Sequence, residues 1–311
     1  MIDLNDLFNK VKYYYNIHPE SYSYISKGCY KLSDKTGEYI LKLCNSNLKN
    51  KYNFLKNMGV DNILYPIANK DGNFISSLNE DFESSFLISN YYKNSYMIDE
   101  IKAKDLINEL KSLHRKTSFK KTLEKSKSKP KMEEMFNHLN YKFSEIESFI
   151  RSLECREYDE FSIPILKNYH YILDAKKQMI NINRKIVSAI KESKTVDYCF
   201  LHNNPKKEHL IILDGNKYLI SIDNSILGIC SFDVAKFYIE NEDVNINMKA
   251  IIDDYFSDYD DEFYYNYFVF LVLLFYIESL NINDKDYVSS QSFVYSSNCI
   301  KKFLQTFTFK N

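Results

Sequence analysis

The chain has no tryptophan, no closely spaced cysteine pair, almost no net charge and no apolar run of membrane-spanning length. Each absence narrows the classes of function. The net charge of −1 provides no global field to draw in nucleic acid or anionic lipid. The six cysteines, Cys29, Cys44, Cys155, Cys199, Cys230 and Cys299, form no C-x-x-C pair. Their scatter reads as reduced thiols, several of them inside strands, in a reducing compartment. The apolar stretch 263–277 falls short of the roughly 20 residues a span needs. It also contains Asn266 and lies between Glu262 and Glu278, so it predicts a buried helix. The first residues lack a charged n-region followed by an apolar core, so no secretory leader is expected. These readings predict a cytoplasmic protein with neither a nucleic-acid nor a membrane partner.

What is present is an ordinary globular composition. At 311 residues, 45% hydrophobic and 27% charged, the chain can bury a core and build two lobes. Aromatics reach 16%, and with abundant Lys, Asn and Ile this fits an A/T-rich coding bias better than a binding surface. The lysine cluster 116–131 reads as a solvated loop.

Hydrophobic periodicity orders the elements. A short amphipathic helix over 4–15 precedes strands over 22–32 and 38–44, joined by the turn Ser33-Asp-Lys-Thr-Gly37. Leu48, Tyr52 and Leu55 share one face of a helix over 48–58, and Gly59 stops it. Segments 63–68 and 72–77 flank a further turn, and 85–92 is an apolar strand. The character then changes. Helices are predicted over 99–115, 132–153 and 166–190, with a Lys/Ser-rich link over 116–129. After a strand-loop-strand segment over 198–224, helices resume at 232–240 and from 248 onward. The plan is a small β-rich N-lobe (1–92), a hinge near residues 89–94 and a large helical lobe (93–311).

Five positions stand out as candidate chemistry. Lys42 interrupts the apolar strand Glu38-Tyr-Ile-Leu-Lys-Leu-Cys44, where a lysine is unexpected on burial grounds; alternation would also allow it a solvated face. Asp223 follows the apolar run Tyr218-Leu-Ile-Ser-Ile222 and reads as a strand-end acid. Such an acid suits Mg²⁺, and a turn cap is the plain alternative. Asn204 and His209 lie in the polar loop between. Asp233 opens a helix, where it complements the helix dipole.

These residues resemble the aminoglycoside phosphotransferase and choline kinase superfamily. The matching segments are His202-Asn203-Asn204, His209, Ile222-Asp223-Asn224 and Asp233-Val-Ala235. Within it the chain resembles CotS-like spore coat proteins through Tyr39-Ile-Leu-Lys42, Leu110-Lys-Ser-Leu-His114 and the paired long helices before the loop. The resemblance implies an α+β, bilobal protein-kinase-like fold. It implies ATP and Mg²⁺ as cofactors and a small hydroxylated acceptor. Lys42 would meet the nucleotide phosphates. Asp223 and His209 would sit at the metal and cofactor positions, Asn204 at the catalytic-base position, and Asp233 would brace the loop.

Three departures carry the functional reading. Asn204 stands where the pattern has a basic aspartate, His209 where it has asparagine, and no acid occurs between Glu38 and Asp61 to hold Lys42. Losing a catalytic base costs about 10²–10⁴-fold in rate. The expectation is therefore a pseudokinase serving ligand binding or assembly, with nucleotide, small-molecule or coat-protein partners in the cytoplasm or the spore. An active kinase of a small hydroxylated molecule is the alternative. A third reading, a helical interaction protein, requires Lys42 and Asp223 to lie far apart.

Overall fold

A computed structural model describes residues 4–78, 84–93, 97–155, 157–282 and 287–307. In chain order, α1 (Leu4–Tyr15) leads into β1 (Ser21–Ser26), β2 (Cys29–Asp34), β3 (Gly37–Cys44) and α2 (Leu48–Asn57). Next come β4 (Ser76–Ser77), β5 (Ser85–Asn90), α3 (Asp99–Lys116), β6 (Phe119–Thr122), α4 (Lys125–Glu154) and α5 (Ser162–Lys191). The strands β7 (Thr195–Leu201), β8 (Leu210–Leu213), β9 (Asn216–Leu219) and β10 (Ile226–Gly228) follow. The chain closes with α6 (Ser231–Glu240), α7 (Met248–Phe256), α8 (Glu262–Ser279) and α9 (Tyr287–Phe307). No helix among the described residues is long and apolar enough to cross a membrane.

Contacts divide the chain into two compact units, each discontinuous in sequence: residues 1–117 with 202–226, and 118–201 with 227–311. The first unit holds a five-stranded antiparallel sheet in the order β1-β2-β3-β5-β4. Strand alternation sends Leu32, Leu41, Phe86 and Ile88 into a core shared with Leu7 and Val11 of α1. The hairpin β8–β9 belongs to this unit because Leu219 bridges to Ile63, its carbonyl accepting from the Leu64 N–H at 3.0 Å. Charged pairs on α3 hold the same segment: Lys217 meets Asp105 at 2.6 Å and Lys207 meets Asp99 at 2.6 Å.

Several local expectations change. The single strand over 22–32 is two strands, because Gly28 takes φ +72° and turns the chain between β1 and β2. The stretch 63–68 is irregular apart from its one bridge to Leu219. Of 72–77, only Ser76–Ser77 is strand. The lysine-rich link is structured: β6 pairs with β7, and α4 begins at Lys125 with Pro130 in its early turns. The lysines there mark an exposed face, and exposure says nothing about whether the backbone is paired. Asn94 of the expected hinge lies outside the described residues.

The second unit is mainly helical. Its small sheet runs in the order β10-β7-β6. The stretch 263–277 lies within α8, which is apolar on nearly all sides and buried along its length.

Candidate functional site

The candidate site lies wholly within the first unit. On β3, Leu41 points into the sheet core, so Ile40 and Lys42 must point to the opposite face. That face lines a cavity of about 320 Å³, with Leu64, Leu87 and Ile220 as apolar wall and Tyr91 and Tyr92 at one side. The solvated-face reading of Lys42 therefore fails. Its ammonium instead donates to the carboxylate of Asp223, the acid lining this cavity. Both side chains keep about 30% of their surface exposed. The pair is worth at most about 1 kcal/mol of stability.

Asp223 sits differently from the strand end expected of it. The strand β9 stops at Leu219, Ser221 takes φ +61°, and Asp223 occupies a single 3₁₀ turn over Ile222–Asn224. That turn is fixed from two directions. Asn203, itself at φ +63°, donates its amide to the Asn224 carbonyl at 2.7 Å. From α2, the Lys51 ammonium donates to the carbonyls of Asp223 and Ser225 at 2.5 and 2.8 Å.

Sequence reasoning missed Lys51. A signal was there: it stands beside Tyr52 and three residues after Leu48, at the edge of the buried stripe Leu48, Tyr52 and Leu55. A lysine at such an edge buries its stem while its head reaches for acceptors. Burial holds its ammonium below the ordinary lysine pKa, while the nearby Asp223 charge pulls the other way.

The polar loop is organised by its histidines. His202 is fully buried, donates Nε2–H to the Ile220 carbonyl at 2.7 Å and accepts the Asn204 N–H on Nδ1 at 3.3 Å. These partners require the neutral Nε2–H tautomer. The His209 ring donates Nδ1–H to the Asn204 carbonyl at 2.8 Å, and its own carbonyl accepts the Ile220 N–H at 2.9 Å. The two rings lie 5.6 Å apart. Asn204 thus contributes its backbone carbonyl to loop geometry, and its amide side chain has no basicity to offer an attacking hydroxyl. Asp233 is placed in the second unit, buried in the first turn of α6.

The donors fit Mg²⁺ poorly. Mg²⁺ demands near-octahedral oxygen coordination, usually through one or two carboxylates plus phosphates and waters. Here Asp223 is already engaged by Lys42 and its carbonyl by Lys51, and the Nδ1 of His209 is taken up by the Asn204 carbonyl. Among the described residues, no group of three His, Cys, Asp or Glu side chains gathers to hold a metal ion. A nucleotide fits better, since a largely apolar slot carries the Lys42 ammonium.

Burial and the charges of Lys42 and Asp223 act on two thiols. Burial raises the pKa of Cys29, opposed by Lys42, and burial with the Asp223 charge pushes Cys44 up to about 12, opposed by Lys42. At pH 8 the Cys44 thiolate fraction is on the order of one in ten thousand. Iodoacetamide at pH 8 is expected to alkylate exposed Cys155 well before Cys29 or Cys44; fast labelling of native Cys44 would contradict this. A thiol protonated preferentially in the folded state contributes stability fully below about 9, which is lost as pH rises toward about 12.

No family profile and no curated protein matches the chain. Solved structures do. An aminoglycoside phosphotransferase from Alicyclobacillus acidocaldarius is 10% identical, with a TM-score of 0.65 over 93% of this chain and 90% of that one. A microcompartment-associated aminopropanol kinase is 10% identical, with a TM-score of 0.55 over 97% and 98%. An amicoumacin kinase in complex with AMP-PNP and Ca²⁺ is 12% identical, with a TM-score of 0.54 over 97% and 94%. At such identities the likeness is one of fold. The chain has the α+β kinase-like fold seen in these small-molecule phosphotransferases.

Proposed function

We propose that the chain is a nucleotide-binding protein of kinase fold whose phosphotransfer chemistry is degenerate. The observation that carries this is the cavity in which Lys42 meets Asp223 while the loop's acid position is held by Asn204. In this reading the apolar walls take a base, Lys42 takes phosphate oxygens, and residues 1–92 act as the nucleotide-side lobe. Residues 93–311 then supply the acceptor side. Nucleotide binding by the amicoumacin kinase, solved with AMP-PNP, supports carrying that role over. Within the same proposal we keep the CotS-like assembly role, supported by Leu110-Lys-Ser-Leu-His114 at the end of α3 and by the long helices α4 and α5.

The test is thermal shift with ADP or ATP alongside an ATP-consumption assay with small hydroxylated acceptors. Nucleotide should raise the melting temperature by linkage, with consumption at background for the wild type. The Asn204→Asp variant should also stay at background, because a restored base leaves His209 and the missing acid unchanged. No thermal shift would sink the nucleotide site. Wild-type turnover that disappears in Asp223→Ala would establish the active kinase instead.

A further inference from the structure

We propose that the phosphates of a nucleoside di- or triphosphate held in this cavity are met by the protein's own ammonium groups, Lys42, which lines it, and Lys51, which reaches the carbonyl of Asp223 beside it, in place of a divalent cation. The inference rests on the nucleotide reading above and specifies its metal requirement.

Lys42 and Lys51 converge on one residue, Lys42 on the Asp223 carboxylate and Lys51 on its carbonyl. Two ammonium groups against one carboxylate leave a net charge of +1 around Asp223. An acid at position 51 would reverse that sum to −1, and a polyphosphate could then enter only with added cations. The chain has no acid anywhere on α2.

A divalent ion binding here must compete with Lys42 for the Asp223 carboxylate, the acid of the cavity lining. A phosphate faces no such conflict, because ammonium groups recognise it directly through charge-assisted hydrogen bonds. Lys51 is also a cation held partly out of water, and its hydrogen bonds run to backbone carbonyls among the described residues. An anion arriving beside it offsets a desolvation already incurred.

The experiment is calorimetric titration of ADP into the whole protein, once in EDTA and once in excess MgCl₂. The expected result is binding in EDTA at least as tight as with Mg²⁺. The Lys51→Gln variant should weaken EDTA binding by about tenfold, the scale of one charge-assisted hydrogen bond. The Lys51→Glu variant should bind only with Mg²⁺. Lys51→Arg keeps the charge and should retain metal-free binding, which separates loss of charge from loss of fold. The melting temperature without ligand checks each variant. Wild-type binding that requires Mg²⁺ overturns this inference and leaves the nucleotide reading standing. An absence of binding in both buffers overturns both.

Discussion

Replacing Lys42 by methionine is expected to weaken ADP binding by about 10- to 100-fold, the loss of a charge-assisted hydrogen bond of about 1.5–3 kcal/mol. Methionine nearly matches the aliphatic stem, so the cavity wall beside Ile40 and Leu87 should keep its packing. The fold should lose little, because the Lys42–Asp223 pair is partly solvated and such pairs contribute at most about 1 kcal/mol. The signature is therefore a large affinity change with a small shift in unliganded melting temperature. Unchanged affinity would show that the ammonium is not a phosphate contact. A collapse of stability would show that the pair is structural.

The second large effect concerns the core of the second unit. Phe268 on α8 is fully buried and sits among Phe256, Phe303 and Phe307, with ring centroids at 5.6, 6.0 and 5.6 Å. Tyr238 of α6 meets it edge-on at 6.2 Å. Phe268→Ala removes a full aromatic side chain from between helices that cannot close the gap without moving rings on α6, α7 and α9. The expected cost is about 3–5 kcal/mol, read as a lower denaturant midpoint for this unit. Phe268→Leu, which retains most of the apolar volume, should cost clearly less. Equal losses for the two variants would argue that the ring cluster is not close-packed.

How much of this was legible in the sequence differs from element to element. Lys42 in an apolar strand carried its own signal, because alternation fixes its face once Leu41 is assigned to the core. The helical stripe Leu48, Tyr52 and Leu55 was equally plain, and all three are buried. The buried helix over 263–277 followed from length and from its interrupting asparagine. Other features depended on backbone conformation that side-chain pattern does not encode. The turn at Gly28 hid inside an otherwise strand-like run, and the left-handed Ser221 that sets the turn carrying Asp223 has no distinctive residue type.

Long-range pairing was the least legible. Joining 202–226 to the first unit rests on the bridge of Leu219 to Ile63 and on the pairs Lys217–Asp105 and Lys207–Asp99. No local pattern announces these partners across more than a hundred residues. Lys51 was missed for the same reason. Its acceptors are main-chain carbonyls far along the chain, and carbonyls leave no trace in a sequence. The three departures at Asn204, His209 and the missing helix acid were visible as changes of residue type. Only the structure showed a lysine on that helix turned toward Asp223.

The most direct test of a nucleotide's phosphates meeting these lysines is labelling with an ATP acyl-phosphate, which transfers its acyl group to amines beside the bound phosphates, followed by peptide mass spectrometry. The account predicts acylation concentrated on Lys42 and Lys51 and suppressed by excess ATP. Labelling spread over surface lysines and indifferent to ATP would contradict it.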